Sequence, residues 1–131
     1  MRSTISRPPL RILIADAHPI EALGLADLLD KLGYVLVGSV ASGQEAFLAA
    51  GEHQPDLLLM DVDLKGDMDG ITAAIEIHNR LGIRSVVLAK HCDRTLQARA
   101  AAAAPVAVLD KTSSMSVIAD VLRAAPRRLI H

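Results

Sequence analysis

The chain has 131 residues, half of them hydrophobic but only 2% aromatic, and its fourteen basic and fifteen acidic side chains leave a net charge of −1. One domain of this size buries enough surface to fold without disulfide or metal, and the single Cys92 excludes both an internal disulfide and a thiolate metal cluster. The small charge and the lone Tyr34 and Phe47 argue against a nucleic-acid or membrane partner, and neither a signal peptide nor a run of about 18 apolar residues is present, so a cytoplasmic protein is expected.

Residues 1–9 carry Pro8 and Pro9 and no periodic pattern, and read as a disordered lead. Leu10 to Ala15 is a strand-length apolar run that stops at a carboxylate, Asp16. Pro19 suits a first helical turn, and Leu25, Leu28, Leu29 and Leu32 recur at helical spacing, which predicts a helix from about Ile20 to Leu32, ended by Gly33. Val35 to Val40 is a second β-branched run. Ser42 and Glu45 have capping-box spacing and open a helix carrying Ala46, Phe47 and Ala50 before Gly51.

The next stretch is the one the chain is arranged around. Leu57-Leu58-Leu59-Met60 is too short for a convincing helix and suits a strand buried on both faces, and it ends abruptly in Asp61. A glycine-containing acidic loop, Lys65 to Gly70, precedes an amphipathic helix with Ile71, Ala74, Ile75, His78 and Leu81. Ser85 to Ala89 is a fourth strand, Asp93 caps an alanine-rich helix from Arg94 to about Ala103, Val106 to Leu109 is a fifth strand, and Ser113 or Ser114 caps a last helix to about Ala124. Residues 10–125 thus form the domain, and 126–131 a tail.

Strand and helix alternate five times with connections too long for hairpins, which predicts an α/β fold: a doubly wound, five-stranded parallel sheet of order 2-1-3-4-5 with five helices. The switch point of that order lies between the first and third strands, so Asp16 and Asp61 are expected side by side in the crevice beyond the strand ends. Two facing carboxylates need a cation, metal or basic side chain, and Lys111, just after the fifth strand, is placed to reach them. A carboxylate beside an ammonium can act as a nucleophile toward an activated phosphoryl group. A structural ion pair closing the sheet is the alternative.

Ile14-Ala15-Asp16 followed by His18-Pro19, Pro55-Asp56 through Asp61, the loop Met68-Asp69-Gly70, and Lys111 together resemble the receiver domain of bacterial two-component response regulators, a flavodoxin-like fold, over nearly the whole chain. The resemblance implies that Asp61 accepts a phosphoryl group, that Lys111 pairs with it, and that Asp16, Asp61 and Asp63 form the Mg2+ set. It further implies a histidine kinase or phosphotransfer protein as partner and a homodimer through the face from the fourth to the fifth helix. It implies a signalling module with no enzymatic turnover of its own, and the chain's end soon after the last helix is read as a single-domain member.

Four positions depart from the family pattern. Ala17 stands where a second acid is usual, Ala89 where a Ser or Thr hydroxyl is usual, Val108 in place of the switch aromatic, and Thr112 in place of a proline. The expectation is an impaired site in which Lys90, Lys111 or both replace the metal charge and Mg2+ is weak or absent. One alternative is a pseudo-receiver acting only by phosphate-independent docking or dimerisation. A remote one is an aspartate-nucleophile phosphatase of the haloacid-dehalogenase type, from Asp61-Val62-Asp63.

The remaining candidates take duller readings. His18 and His91 read as rim residues, His53 and His78 as surface residues, and Cys92 as inert. A calcium loop is rejected because Lys65 and Thr72 occupy ligand positions. The run Ala100 to Ala104 favours helix, with an interaction face as the other reading.

Overall fold

In the computed structural model, which describes residues 8–126, each apolar run forms a strand: β1 Arg11–Ala15, β2 Val35–Val40, β3 Leu57–Asp61, β4 Ser85–Ala89 and β5 Ala107–Asp110. The helices between and after them are α1 Pro19–Lys31, α2 Gly43–His53, α3 Gly70–Leu81, α4 Arg94–Ala100 and α5 Met115–Ala124. The sheet has the expected order β2-β1-β3-β4-β5, and every neighbouring pair is parallel. The expected lead and tail fall largely outside the described residues.

The two-residue period of a strand sorts β3 onto two cores. Leu57 and Leu59 join Ile12, Ile14, Val86 and Leu88 beneath Leu25, Leu29, Ile118 and Leu122 of α1 and α5. Leu58 and Met60 join Leu13 and Ala15 beneath Ala46, Ala50, Ala73, Ala74 and Ile77 of α2 and α3. Continuing the same alternation, Asp16 and Asp61 fall on the α1/α5 side, which decides which helix can supply their neighbours.

Two boundaries differ from the sequence reading. Helix α2 runs through Gly51 to His53 and ends at Gln54, which adopts a left-handed conformation (φ 47°) and donates its N–H to Ala50 at 2.9 Å. The Ser42 and Glu45 cap at its start is present, with Glu45 N–H donating to Ser42 Oγ at 3.1 Å. The alanine run leaves α-helix after Ala100, makes a 3-10 turn over Ala101–Ala103 and closes at Ala104 with φ 46° ahead of Pro105. Within that run Ala100 and Ala103 are buried in the core while Ala101 and Ala102 are exposed.

The loop after β3 is brought back onto the strand end by Asp69 and Gly70. Asp69 caps α3, accepting from Thr72 N at 2.9 Å, and Gly70 donates to the Val62 carbonyl at 2.9 Å. A Cβ at Gly70 would lie 1.9 Å from the Asp61 carbonyl oxygen and 2.9 Å from Val62 Cα, both backbone atoms that cannot swing aside. Gly70→Ala is therefore expected to cost about 3 kcal/mol or more in urea unfolding, at or above the upper end of overpacking penalties. Gly51→Ala, exposed in a helix interior with nothing within 4 Å, should instead gain about 0.5–1 kcal/mol.

Candidate functional site

β1 and β3 deliver Asp16 and Asp61 to one end of the sheet, each with a side chain only 1% exposed. The backbone of Asp16 is fixed by its N–H bond to Val40 O at 2.9 Å, and its Oδ1 accepts from His18 N at 2.8 Å. Asp61 Oδ1 accepts from Asp63 N at 3.2 Å. Lys111 follows β5, held by its N–H bond to Ala89 O at 2.8 Å, and its side chain crosses the end of β4. Its Nζ donates to Asp61 Oδ2 at 2.8 Å, also bonds Glu21, and lies 3.9 Å from Asp16 Oδ2.

His18 completes the cluster. It is the N-cap of α1 but makes no side-chain cap bond, and its ring turns to the acids instead. Nδ1 lies 3.1 Å from Asp16 Oδ1, 3.2 Å from Asp61 Oδ2 and 3.3 Å from Glu21 Oε2. Reading His18 as a rim residue is thus corrected, and Glu21 was not anticipated at all. The available signal was helical: residues 18 and 21 are three apart at the start of α1 and share a face.

The electrostatics follow from burial and crowding. Burial pushes the Asp16 carboxyl above its ordinary value of 3.8, the Asp61 charge adds to this, and the His18 N–H, Lys111 and the His18 ring oppose it. Burial works against the Lys111 ammonium, but its bonds to Asp61 and Glu21 and the charges of Asp61 and Asp16 outweigh that and raise its pKa above 10.5.

Other expected site residues lie apart from this cluster. Lys90 is exposed just past β4 and, among the described residues, makes no hydrogen bond or ion pair with the site, and Asp63 is exposed, touching Asp61 through its backbone N–H. Ala89 is buried at the end of β4, opposite Asp110. His91 is exposed, whereas His78 is half-buried on α3 with a buried Nδ1 that has no hydrogen-bond partner, unlike the surface residue expected. Burial and the neighbouring Asp110 and Asp93 push the Cys92 thiol up, which agrees with an inert cysteine.

A divalent cation fits this donor set. Asp16 Oδ2 is buried without a hydrogen-bond partner, and three carboxylates face a single lysine. Asp16 and Asp61 are the buried acids that would hold a hard divalent ion such as Mg2+.

A parallel α/β sheet of this order, with acids ending its first and third strands and a lysine after its fifth, defines a receiver-type domain. The family model described as the response regulator receiver domain matches residues 12–123, and the chain belongs to that family, which works in two-component signal transduction. It is 38% identical over 120 residues to the transcriptional regulatory protein PdtaR of Mycobacterium tuberculosis, covering 92% of this chain and 58% of PdtaR. It is 34% identical to the response regulator protein VraR of Staphylococcus aureus, covering 90% of this chain and 57% of VraR. The chain thus spans little more than half the length of these relatives.

Among solved structures it resembles a LuxR-family two-component response regulator from Aurantimonas sp. SI85-9A1, with TM-score 0.82, 28% identity, and coverage of 89% of this chain and 84% of that one. A CheY-like receiver domain protein from Methanospirillum hungatei shares the fold, with TM-score 0.78, 21% identity, and coverage of 88% and 92%. Among the described residues no helix is long and apolar enough to cross a membrane.

A carboxyl whose folded-state pKa lies above its unfolded value binds more protons when folded, so stability falls as pH rises through the raised value. In chelator-treated protein, Asp16→Asn should therefore be more stable than wild type near pH ~7, and that advantage should shrink as pH falls toward ~4. Urea unfolding across this range measures the difference; equal stabilities throughout would contradict the assignment.

Proposed function

We propose that residues 10–125 form a receiver in which Asp61 takes a phosphoryl group from the phosphohistidine of a histidine kinase or phosphotransfer protein. A carboxylate oxygen of Asp61 forms the new P–O bond as the P–N bond of the donor breaks, and Lys111 Nζ, 2.8 Å from Asp61 Oδ2, meets the charge on the phosphoryl oxygens. That pair at the end of a fully buried strand is the observation that carries the reading. When bound, Mg2+ supplies further neutralisation of that charge.

The site is impaired in this reading. Ala17 offers no second acid, which weakens Mg2+, and the buried Ala89 offers no hydroxyl to the phosphoryl group. One missing hydrogen bond to a charged group costs about 1.5–3 kcal/mol, roughly one to two decades in rate. Val108 packs against the small core of Ile71, Val87 and Ala100 and has no aromatic ring to reorient on phosphorylation.

A second reading, docking without phosphate, is favoured by one observation: Asp61 Oδ2 is already engaged by both Lys111 and His18. Exposed Met115 and Val117 on α5 would then contribute to a homodimer through the face from α4 to α5. Exposed Asp63 lends no support to the phosphatase reading.

Intact mass after treatment with a small phosphodonor, with and without Mg2+, tests the first reading. A phosphate-sized gain present in wild type and absent in Asp61→Asn is expected, whereas no gain in folded protein would favour docking. Ala89→Thr should accelerate the gain by about one to two decades, read as initial labelling rate.

A further inference from the structure

We propose that this chain assembles head to tail, an exposed stripe of α1 on one copy seating in the groove between α2 and α3 of the next. Ile20 and Leu23 on α1 are 85% and 69% exposed, and with Asp27 they stand at i, i+3 and i+7, which puts all three on one stripe of the helix. On the other face of the sheet, α2 and α3 flank a groove of about 430 Å3, within the size range of pockets that take up apolar groups. Phe47, Leu48 and Met68 give it an apolar lining, and Thr72, Glu76 and Arg80 follow along α3.

Single exposed apolar side chains are ordinary, but here a stripe and a concave lining match in both length and charge. At ~1.5 Å per residue, Thr72 to Arg80 runs about 12 Å along α3 and Ile20 to Asp27 about 10 Å along α1. With the two helices parallel and Ile20 against Met68 and Thr72, Leu23 falls on Phe47 and Leu48, and Asp27 on Arg80. The Arg80 guanidinium lies 5.8 Å from the Phe47 ring centroid and bonds Glu76 through Nε at 2.9 Å, which leaves its outer edge to meet a carboxylate of another molecule. Asp27 and Arg80 are each held only by an exposed i,i+4 partner, Lys31 and Glu76, and pairs of that kind cost little to rearrange.

Topology sets the mode of assembly. Helix α1 packs on one face of the sheet and α2 and α3 on the other, so the two surfaces point away from each other and one copy cannot satisfy its own groove. The contact is heterologous: each copy in a pair keeps a free α1 stripe or a free groove, and growth continues unless the rotation closes a ring. A single helix in a groove is a small interface, which places the association among weak, concentration-dependent ones. The inference goes beyond phosphoryl acceptance and stands without it, since no member of the charged cluster takes part.

The test is sedimentation velocity of the unphosphorylated chain from about 0.05 to 1 mM, the range in which weak contacts form. The average mass of wild type should rise past twice that of the monomer. Leu23→Glu and Leu48→Glu should each stay monomeric; both leucines are 69% exposed, so neither substitution disturbs the core. An equimolar mixture of these two variants should form a dimer of twice the monomer mass that grows no further, because one supplies the intact groove and the other the intact α1. Val117→Lys, on α5 and outside both surfaces, should assemble as wild type does. A wild type that stays monomeric or stops at a dimer, or a mixture that stays monomeric, would overturn the proposal. So would assembly lost in Val117→Lys, which would move the interface to the face from α4 to α5. No phosphodonor is present, so the mass experiment on Asp61 is decided separately.

Discussion

Two parallel strands each finish in a carboxylate, and the Asp16 and Asp61 side chains are both withdrawn from solvent, where uncompensated negative charge is costly. Lys111 lies two strands from Asp61 in the sheet, so its stem must cross the end of β4 to reach it. That crossing ties β5, the edge strand, to the centre of the sheet by charge as well as by the backbone ladder. Removing the lysine would leave two buried acids facing each other, the circumstance in which losing one partner of an ion pair costs far more than the pair contributes. Gly70 serves the same end from the other side, since only a residue without Cβ lets α3 start against the Asp61 carbonyl.

The fold was legible because its signals are one-dimensional. Strand-length apolar runs, cap residues and punctuating glycines mark elements locally, and the alternation of strand with helix leaves few topologies. The acids at the ends of β1 and β3 were legible for the same reason: strand order makes them neighbours. What was not legible depended on side-chain direction. Lys90 and Lys111 both directly follow strands, yet one points to solvent and the other lies across the site. His18 looks like any helix-capping position until its ring is seen to forgo the cap. Gly51 was read as an end although α2 carries it inside, because the terminating left-handed residue is Gln54, which gives no glycine signal.

The same crowding that stabilises the cluster bears on its chemistry. Asp61 Oδ2 is engaged by both an ammonium and an imidazole, so under the proposed function phosphoryl transfer and resting stability would draw on the same contacts. In the proposed reading this favours a slow acceptor. It also gives His18 and Glu21, neither of them a strand-end residue, a direct influence on the centre of the site through the first turn of α1.

Helix α4 has little holding it. It spans seven residues, buries only Ala100 fully, half-buries Leu96, and is tied to α3 by a partly exposed ion pair, Arg99 to Asp69 at 2.9 Å. Strand β3, by contrast, is buried at every position. Free energies of local opening track this kind of burial, so the amides of α4 are expected to exchange with solvent more readily than those of β3. The weakly held α4 lies apart from the charged cluster at the strand ends, whose contacts come from β1, β3, the start of α1 and Lys111.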